Sequence, residues 1–226
     1  MTLAFRSLPV GLPPGHAGVR IAVHDVVPLA AAMATSDWPS ELRDAVASRK
    51  ADFLAGRLAA HEAVRRAIGE AAEVGRDAAG VPLWPAGVSG SISHHGGVAC
   101  AVAGPSSAPG GVGVDIAPLL GGDSLRAVIR QCLTEAECVH ALSGDRFARE
   151  WASIAFAAKE SLFKAAHVRV ARFIGFDEAA LVGIDPESRH WTLALATRLA
   201  GELETREVTG AYAWDGDRLF AVLALA

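Results

Sequence analysis

The sequence predicts an α+β protein made of two similar halves. The chain has 226 residues, of which 51% are hydrophobic, and this is ample material for a folded core. Both halves mix helix-like and strand-like periodicities. A turn-rich stretch at 104–111, Gly-Pro-Ser-Ser-Ala-Pro-Gly-Gly, divides the chain into nearly equal parts. We therefore predict two α/β subdomains, 1–105 and 106–226, packed side by side.

Helix signals dominate the middle of the first half. Trp38-Pro-Ser-Glu41 is typical of a helix start, with Pro39 in the first turn. Farther along, Arg49, Phe53 and Arg57 stand at i, i+4 and i+8, so both guanidinium groups should leave the same side of a helix. The apolar positions that mark this amphipathic helix are Phe53, Leu54, Leu58, Val64 and Ile68.

Two hairpins are predicted, one in each half. Segments 91–93 and 98–103 read as strands around the turn His94-His-Gly-Gly97, which would present a histidine. Segments 212–214 and 219–223 flank Asp-Gly, a strong hairpin signal.

The second half begins with a predicted strand at 113–116, in the β-branched apolar run that follows the turn-rich stretch. A long apolar segment, 147–166, predicts a helix, and 191–199 predicts a further strand. Both halves thus contain the elements of an α+β architecture.

Composition argues against several classes of protein. The formal net charge is −4, and no basic run interleaved with aromatic residues suggests a nucleic-acid surface. The longest apolar runs, such as 220–226, are too short for a membrane span, and the start lacks a leader pattern, so we expect a cytoplasmic protein. Cys100, Cys132 and Cys138 form neither a paired framework nor a zinc motif and are expected to be buried small hydrophobes.

The distribution of lysine points to a reactive site. The chain has three lysines against eighteen arginines, yet Lys159 and Lys164 flank Glu160 in one apolar stretch. Lysine is a mobile point charge suited to phosphate. Asp115 ends a β-branched apolar run, and together Asp115 and Glu160 would supply oxygen ligands for a hard cation. The alternatives are an ordinary i, i+4 surface pair for Glu160 and Lys164, and a turn or cap role for Asp115.

Five segments in order carry a family resemblance. Gly111-Val-Gly-Val-Asp-Ile116 precedes Ala157-Ala-Lys-Glu-Ser-Leu-Phe-Lys-Ala165, and upstream lie Arg49-Lys-Ala-Asp-Phe-Leu-Ala-Gly-Arg-Leu-Ala-Ala60, Pro82-Leu-Trp-Pro85 and Gly90-Ser-Ile-Ser-His94. This arrangement, over roughly residues 40–180, resembles the phosphopantetheinyl transferases of the surfactin- and enterobactin-activating class.

The resemblance implies a cytoplasmic, pseudo-twofold monomer that transfers 4′-phosphopantetheine from coenzyme A to a serine of an acyl, peptidyl or aryl carrier protein. Adenosine 3′,5′-bisphosphate would be released, and Mg²⁺, or Mn²⁺ in its place, would be required. It further implies that Asp115 and Glu160 hold the metal and that Glu160 also takes the serine proton. The phosphate contacts it implies come from Arg49, Arg57, Arg76, His94, Lys159 and Lys164, with Glu137 near the metal water.

One position departs from the family pattern. Many relatives have a Glu two residues after the strand Asp, whereas this chain has Ala117, so we expect water to replace that ligand. Two alternatives therefore stay open: a catalytically silent relative that binds coenzyme A or a carrier protein, and another coenzyme A-dependent acyltransferase with His94 as the base. The carrier protein and the pathway are not determined by the sequence.

Overall fold

The computed structural model describes residues 3–77, 80–106 and 111–225. The chain divides into two compact units, Met1–Leu8 with Gly15–Pro105 and Pro9–Pro14 with Ser106–Ala226. Each unit has one long helix against an antiparallel sheet, so the predicted α+β class is confirmed. Most of the turn-rich stretch predicted as a linker, 107–110, lies outside the described residues. The pseudo-twofold relation of the halves stays a prediction.

The first unit contains a four-stranded antiparallel sheet in the order β1-β2-β6-β5, a separate β3-β4 ribbon, and helix α2 packed on the sheet. Its elements are β1 Arg6–Ser7, β2 Ala17–Ala22, α1 Val27–Ala32, α2 Ala47–Ile68, β3 Gly75–Arg76, β4 Pro82–Leu83, β5 Val88–His95 and β6 Val98–Pro105, with 3₁₀ turns at Val23–Asp25, Thr35–Asp37 and Ser40–Leu42.

Helix α2 differs from its prediction in two respects. It begins at Ala47, and Pro39 instead precedes the short 3₁₀ turn Ser40–Leu42, so the predicted start was wrong. Its buried face is built mainly of small residues, whereas Ile68 is 38% exposed. Small side chains let the helix lie close to the sheet, where a Cβ at Gly56 would come 3.0 Å from Ile92. The buried positions of α2 are Ala51, Ala55, Gly56, Ala59, Ala60, Ala63 and Val64.

The predicted hairpin of the first unit is confirmed. Strands β5 and β6 pair from His95 opposite Val98 to Val88 opposite Pro105. Gly96 and Gly97 form the two-residue turn, with φ of 56° and 77°, values that glycine adopts without a steric penalty.

The second unit contains a five-stranded antiparallel sheet in the order β7-β11-β10-β9-β8, covered by helix α5. The predicted strand at 113–116, long helix and second hairpin are confirmed, but the strand predicted at 191–199 ends at Leu195 and gives way to a helix. The elements are β7 Val112–Pro118, α3 Gly122–Gln131, α4 Glu135–Ala141, α5 Arg146–Val170, β8 Ala179–Asp185, β9 His190–Leu195, α6 Thr197–Leu203, β10 Glu207–Asp215 and β11 Arg218–Ala224, with a 3₁₀ turn at Phe176–Glu178.

Helix α5 is capped at both ends by local chemistry. The Asp145 carboxylate accepts a hydrogen bond from the Ala148 amide at 2.9 Å, and Ala171 ends the helix in the left-handed region with φ of 49°.

Although α5 is 25 residues long, neither it nor another helix in the described ranges combines the length and apolarity that a membrane span needs.

Glycines on β7 allow α5 to approach the strand closely. A Cβ added at Gly113 would lie 1.8 Å from the Ser161 carbonyl oxygen, and one at Gly111 would lie 2.6 Å from the Ala165 carbonyl oxygen. Both glycines are on the strand face that carries Asp115, because side chains alternate along a strand. The glycine spacing therefore sets the separation at which Asp115 meets the helix.

Gly113→Ala should destabilise the second unit, because the added methyl group would collide with backbone atoms of α5. Backbone atoms cannot move aside by changing rotamer, as a side chain could. Overpacking of this kind costs about 1–3 kcal/mol or more, measurable as a lower denaturant midpoint. Gly201→Ala in α6 is the matched control: its Cβ meets open space, and the helix should gain up to about 1 kcal/mol. Equal effects of the two substitutions would contradict the close approach.

Candidate active site

A cationic cavity lies in the first unit between α2 and β5. It has a volume of about 370 Å³ and brings Arg49, Arg57 and His94 to one space, as the i, i+8 spacing on α2 predicts. Asp52 adds one carboxylate to the wall. Three basic side chains around one cavity favour an anionic ligand such as a phosphate ester. The other lining residues are Leu42, Ser48, Phe53, Gly56, Gly80, Pro82 and Ile92.

The ring of Phe53 organises two guanidinium groups. Arg57 lies 5.3 Å from the ring centroid and Arg76 lies 5.9 Å from it. Arg57 Nη1 donates to the Gly75 carbonyl at 2.7 Å and to the Val74 carbonyl at 3.4 Å, which joins α2 to β3. Burial, and then the nearby charge of Arg76, lower the pKa of Arg57. Two like charges are thus held close together beside the cavity.

Arg76 is not among the lining residues of the cavity. Its guanidinium forms an ion pair with Glu41 and lies against the turn at Gly80, where a Cβ would be 3.4 Å from Arg76 Nη2. Gly80 does line the cavity, so Arg76 stands directly behind its wall.

A second cluster lies in the second unit, where α5 crosses β7. Lys164 Nζ donates to Asp115 Oδ1 at 2.6 Å and to the Val114 carbonyl at 3.1 Å. Glu160 stands one helical turn before Lys164, on the same helix face. Asp115 is only 6% exposed, so the cluster is a partly buried group of two carboxylates and one ammonium.

The two carboxylates influence one another. Burial raises the pKa of Glu160 above its ordinary value of 4.5, the charge of Asp115 raises it further, and Lys164 opposes the shift. An excess of negative charge in a partly buried place attracts a cation. Among the described residues no group of three or more His, Cys, Asp or Glu side chains forms a ready metal site, so a metal here would have two protein carboxylates and would complete its shell with water and substrate oxygens.

Ala117 lies on the same strand face as Asp115 but is fully buried in the apolar core between α5 and the sheet. Its methyl group packs in the cluster that contains Ala158 and Leu162. The expected replacement of a carboxylate by water at this position stays a prediction.

Lys159 occupies a very different environment from Lys164. It is 0% exposed, and its ammonium group donates to Glu137 Oε2 at 2.7 Å, to the Cys132 carbonyl at 2.8 Å and to the Phe176 carbonyl at 3.0 Å. All three N–H donors therefore have protein partners. This arrangement does not fit the phosphate contact expected of Lys159 and points to a structural role.

Glu137 completes the buried ion pair. Its Oε2 also accepts from the Thr134 amide at 2.7 Å, and its Oε1 accepts from the Leu181 amide at 2.7 Å. Glu137 is only 2% exposed. Its hydrogen bonds join the start of α4 to strand β8 and helix α5. This placement differs from the expected position beside a metal water.

Sequence reasoning missed two carboxylates near the cavity. Asp52 follows Arg49 by three residues and lines the same cavity, so helical spacing alone was a sufficient signal. Glu41 pairs with Arg76 across 35 positions, and no local pattern announces such a contact.

The first unit thus has a cavity lined by basic side chains, and the second has two carboxylates beside a lysine. Residues 38–104 match the family described as 4′-phosphopantetheinyl transferase N-terminal domain, and residues 111–214 match the 4′-phosphopantetheinyl transferase superfamily. The chain therefore belongs to the 4′-phosphopantetheinyl transferase superfamily, and the predicted enzyme class is confirmed.

The chain is also similar to individual members of that family. It is 34% identical over 168 residues to enterobactin synthase component D of Salmonella typhi, a match that covers 74% of this chain and 68% of the relative. For the protein of the same name from Escherichia coli strain K12, identity is 35%, covering 58% of this chain and 61% of the relative. The 4′-phosphopantetheinyl transferase PptT of Mycobacterium tuberculosis is 29% identical, covering 68% and 66%.

Lys159→Met should destabilise the second unit strongly, because it leaves the Glu137 carboxylate buried without its counter-ion. Breaking one side of a buried pair costs about 3–5 kcal/mol, measurable by urea unfolding. The double substitution Glu137→Gln with Lys159→Met should recover part of that loss. Loss of activity without any loss of stability in Lys159→Met would instead support the phosphate contact.

Glu160→Gln should stabilise the metal-free protein at neutral pH, because it removes a partly buried charge beside Asp115. The folded-state pKa of Glu160 lies above 4.5, so the folded state holds more protons and wild-type stability falls as pH rises from 4.5 through the raised pKa. Each kcal/mol gained would raise Tm by roughly 2–4 °C. Thermal unfolding in chelator should show a gap between the proteins that widens over this pH range; a constant gap would contradict the raised pKa.

Proposed function

We propose that this chain transfers 4′-phosphopantetheine from coenzyme A to a serine of apo carrier proteins, with Mg²⁺ held by Asp115 and Glu160. The observation that carries the proposal is the pair of interacting carboxylates beside Lys164, in a chain that also has a cavity lined by Arg49, Arg57 and His94. Such a chain has separate chemistry for binding a polyanion and for neutralising a reacting phosphate.

The first unit supplies the hold on coenzyme A. Arg49, Arg57 and His94 would bind its phosphates as charge-assisted hydrogen-bond donors, and Arg76 would join them from behind the cavity wall. Arg57 is already fixed by its bonds to the backbone of residues 74 and 75, so little side-chain freedom is lost on binding.

The second unit supplies the reacting centre. The carboxylates of Asp115 and Glu160 fit Mg²⁺, or Mn²⁺, because both are oxygen donors and their mutual repulsion favours a cation. Bound there, the metal would neutralise charge on the pyrophosphate of coenzyme A. Lys164 would add a positive charge beside the leaving phosphate, since its ammonium already stands 2.6 Å from Asp115.

In the transfer step the serine oxygen forms a bond to the phosphorus next to pantetheine, and the bond from that phosphorus to the bridging oxygen breaks. Adenosine 3′,5′-bisphosphate leaves with that oxygen. The serine proton goes to a base, and we assign this role to Glu160, directly or through water, because a carboxylate at the reacting centre is a suitable proton acceptor.

Physiological setting belongs to the same proposal. Because two of the similar proteins are named enterobactin synthase component D, carriers of siderophore assembly are the first candidates, with polyketide and peptide carriers as the alternative. We further propose a cytoplasmic monomer, which fractionation and light scattering would test.

A second candidate function is that of a silent relative that binds coenzyme A without transfer. The observation that favours it is Ala117, a buried residue two positions after Asp115 that offers no oxygen ligand to a metal. The two candidates differ in whether an apo carrier gains mass.

The deciding experiment combines the protein, coenzyme A, Mg²⁺ and a panel of apo carrier proteins, with mass spectrometry of the carrier. We expect the wild type to add phosphopantetheine and Asp115→Asn to slow transfer by about 10²–10³-fold, since an electrostatic contact at the reacting centre is lost. Glu187→Gln, at an exposed position of the same unit, is the matched control and should keep full activity. Binding of coenzyme A without any mass gain would establish the silent relative.

A further inference from the structure

Glu41 forms an ion pair with the guanidinium of Arg76, which is one of the groups proposed to bind a phosphate. Its Oε1 pairs with Arg76 Nη2, and the residue after it, Leu42, lines the cavity. Glu41 itself is not among the lining residues of the cavity, and its side chain is 49% exposed. The bond to Arg76 is also one of the causes that lower the pKa of Glu41, after a backbone hydrogen bond, so the carboxylate is ionised at neutral pH.

The position of Arg76 explains why a carboxylate is present. Arg57 and Arg76 share the ring of Phe53, and burial together with the charge of Arg76 lowers the pKa of Arg57. Arg57 directs Nη1 at backbone carbonyls, which carry no net charge. Glu41 is therefore the acidic partner of Arg76, whereas Asp52 is the carboxylate in the cavity wall itself.

We propose that Glu41 is an internal counter-ion that competes with a phosphate group of the ligand for Arg76 and so sets the affinity of the cavity. The inference rests on the proposed function in that the competing ligand is coenzyme A or its product, adenosine 3′,5′-bisphosphate. Weaker binding of the product would favour its release after each transfer.

The competition follows from charge and exposure. A phosphate carries about two negative charges and binds guanidinium groups more strongly than a carboxylate does. If Glu41 stayed in place it would repel the phosphate, and since half of its side chain already faces solvent, water can accept it when it turns away. Exposed ion pairs are weak, so the effect on affinity should be about two- to fivefold.

The test measures binding of adenosine 3′,5′-bisphosphate by calorimetry. Glu41→Gln, and Glu41→Ala as a second variant, should bind it about two- to fivefold more tightly than wild type. Adenosine 5′-monophosphate reports which phosphate reaches Arg76, because only the bisphosphate has the 3′ group. Glu70→Gln is the matched control: it removes one exposed carboxylate of the same unit that does not line the cavity, and affinity should not change.

A double-mutant cycle separates direct competition from a general effect of charge. In the Arg76→Ala background, Glu41→Gln should have no effect, because the guanidinium for which the two anions compete is gone. Equal tightening in both backgrounds, or no tightening in the wild-type background, would overturn the inference and leave the proposed function standing. Absence of bisphosphate binding by the wild type itself would overturn both.

Discussion

The close contact of α5 with β7 is the constraint on which the candidate reacting centre depends. Gly111 and Gly113 have no side chains where the carbonyl oxygens of α5 approach, and Asp115 is the next residue on that strand face. Glycine at positions 111 and 113 therefore lets the carboxylate of Asp115, the next residue on this face, come close to α5. A larger residue at Gly111 or Gly113 would collide with the backbone of α5.

Helix α5 also uses neighbouring residues for opposite purposes. Lys159 points into the protein, where its ammonium group donates to Glu137 and to two backbone carbonyls. Glu160, in contrast, is partly buried near Asp115. Successive helical residues are about 100° apart, so Lys159 can face the interior while Glu160 faces Asp115. The buried pair of Lys159 and Glu137 thereby fixes the orientation of α5 in which Glu160 lies near Asp115.

The sequence predicted the parts of this structure that local chemistry determines. Gly-Gly and Asp-Gly marked the hairpins, and the helical spacing of Arg49 and Arg57 predicted that both would reach one cavity. What it could not reveal depends on distant partners. The role of Lys159 is decided by Glu137, 22 positions away, and the partner of Arg76 lies 35 positions away.

The prediction of the buried face of α2 was wrong for a related reason. Periodicity locates the apolar residues of a helix but does not say which face is buried. Its large residues Phe53, Leu54 and Leu58 are only partly buried, and alanines form the contact with the sheet. Close helix-to-sheet packing favours small residues, and this leaves Phe53 available to carry two guanidinium groups. Both the core of the first unit and the lining of its cavity therefore depend on which face of α2 packs against the sheet.

Both candidate sites concentrate like charges, and this has a common thermodynamic consequence. The cavity gathers cations and the α5–β7 cluster gathers carboxylates, and in each the charge of one member shifts the pKa of another in the unfavourable direction. A ligand of opposite charge would offset this repulsion in either place. Since a ligand that binds only the folded state stabilises it in proportion to the logarithm of its concentration, such a ligand would stabilise the unit that binds it.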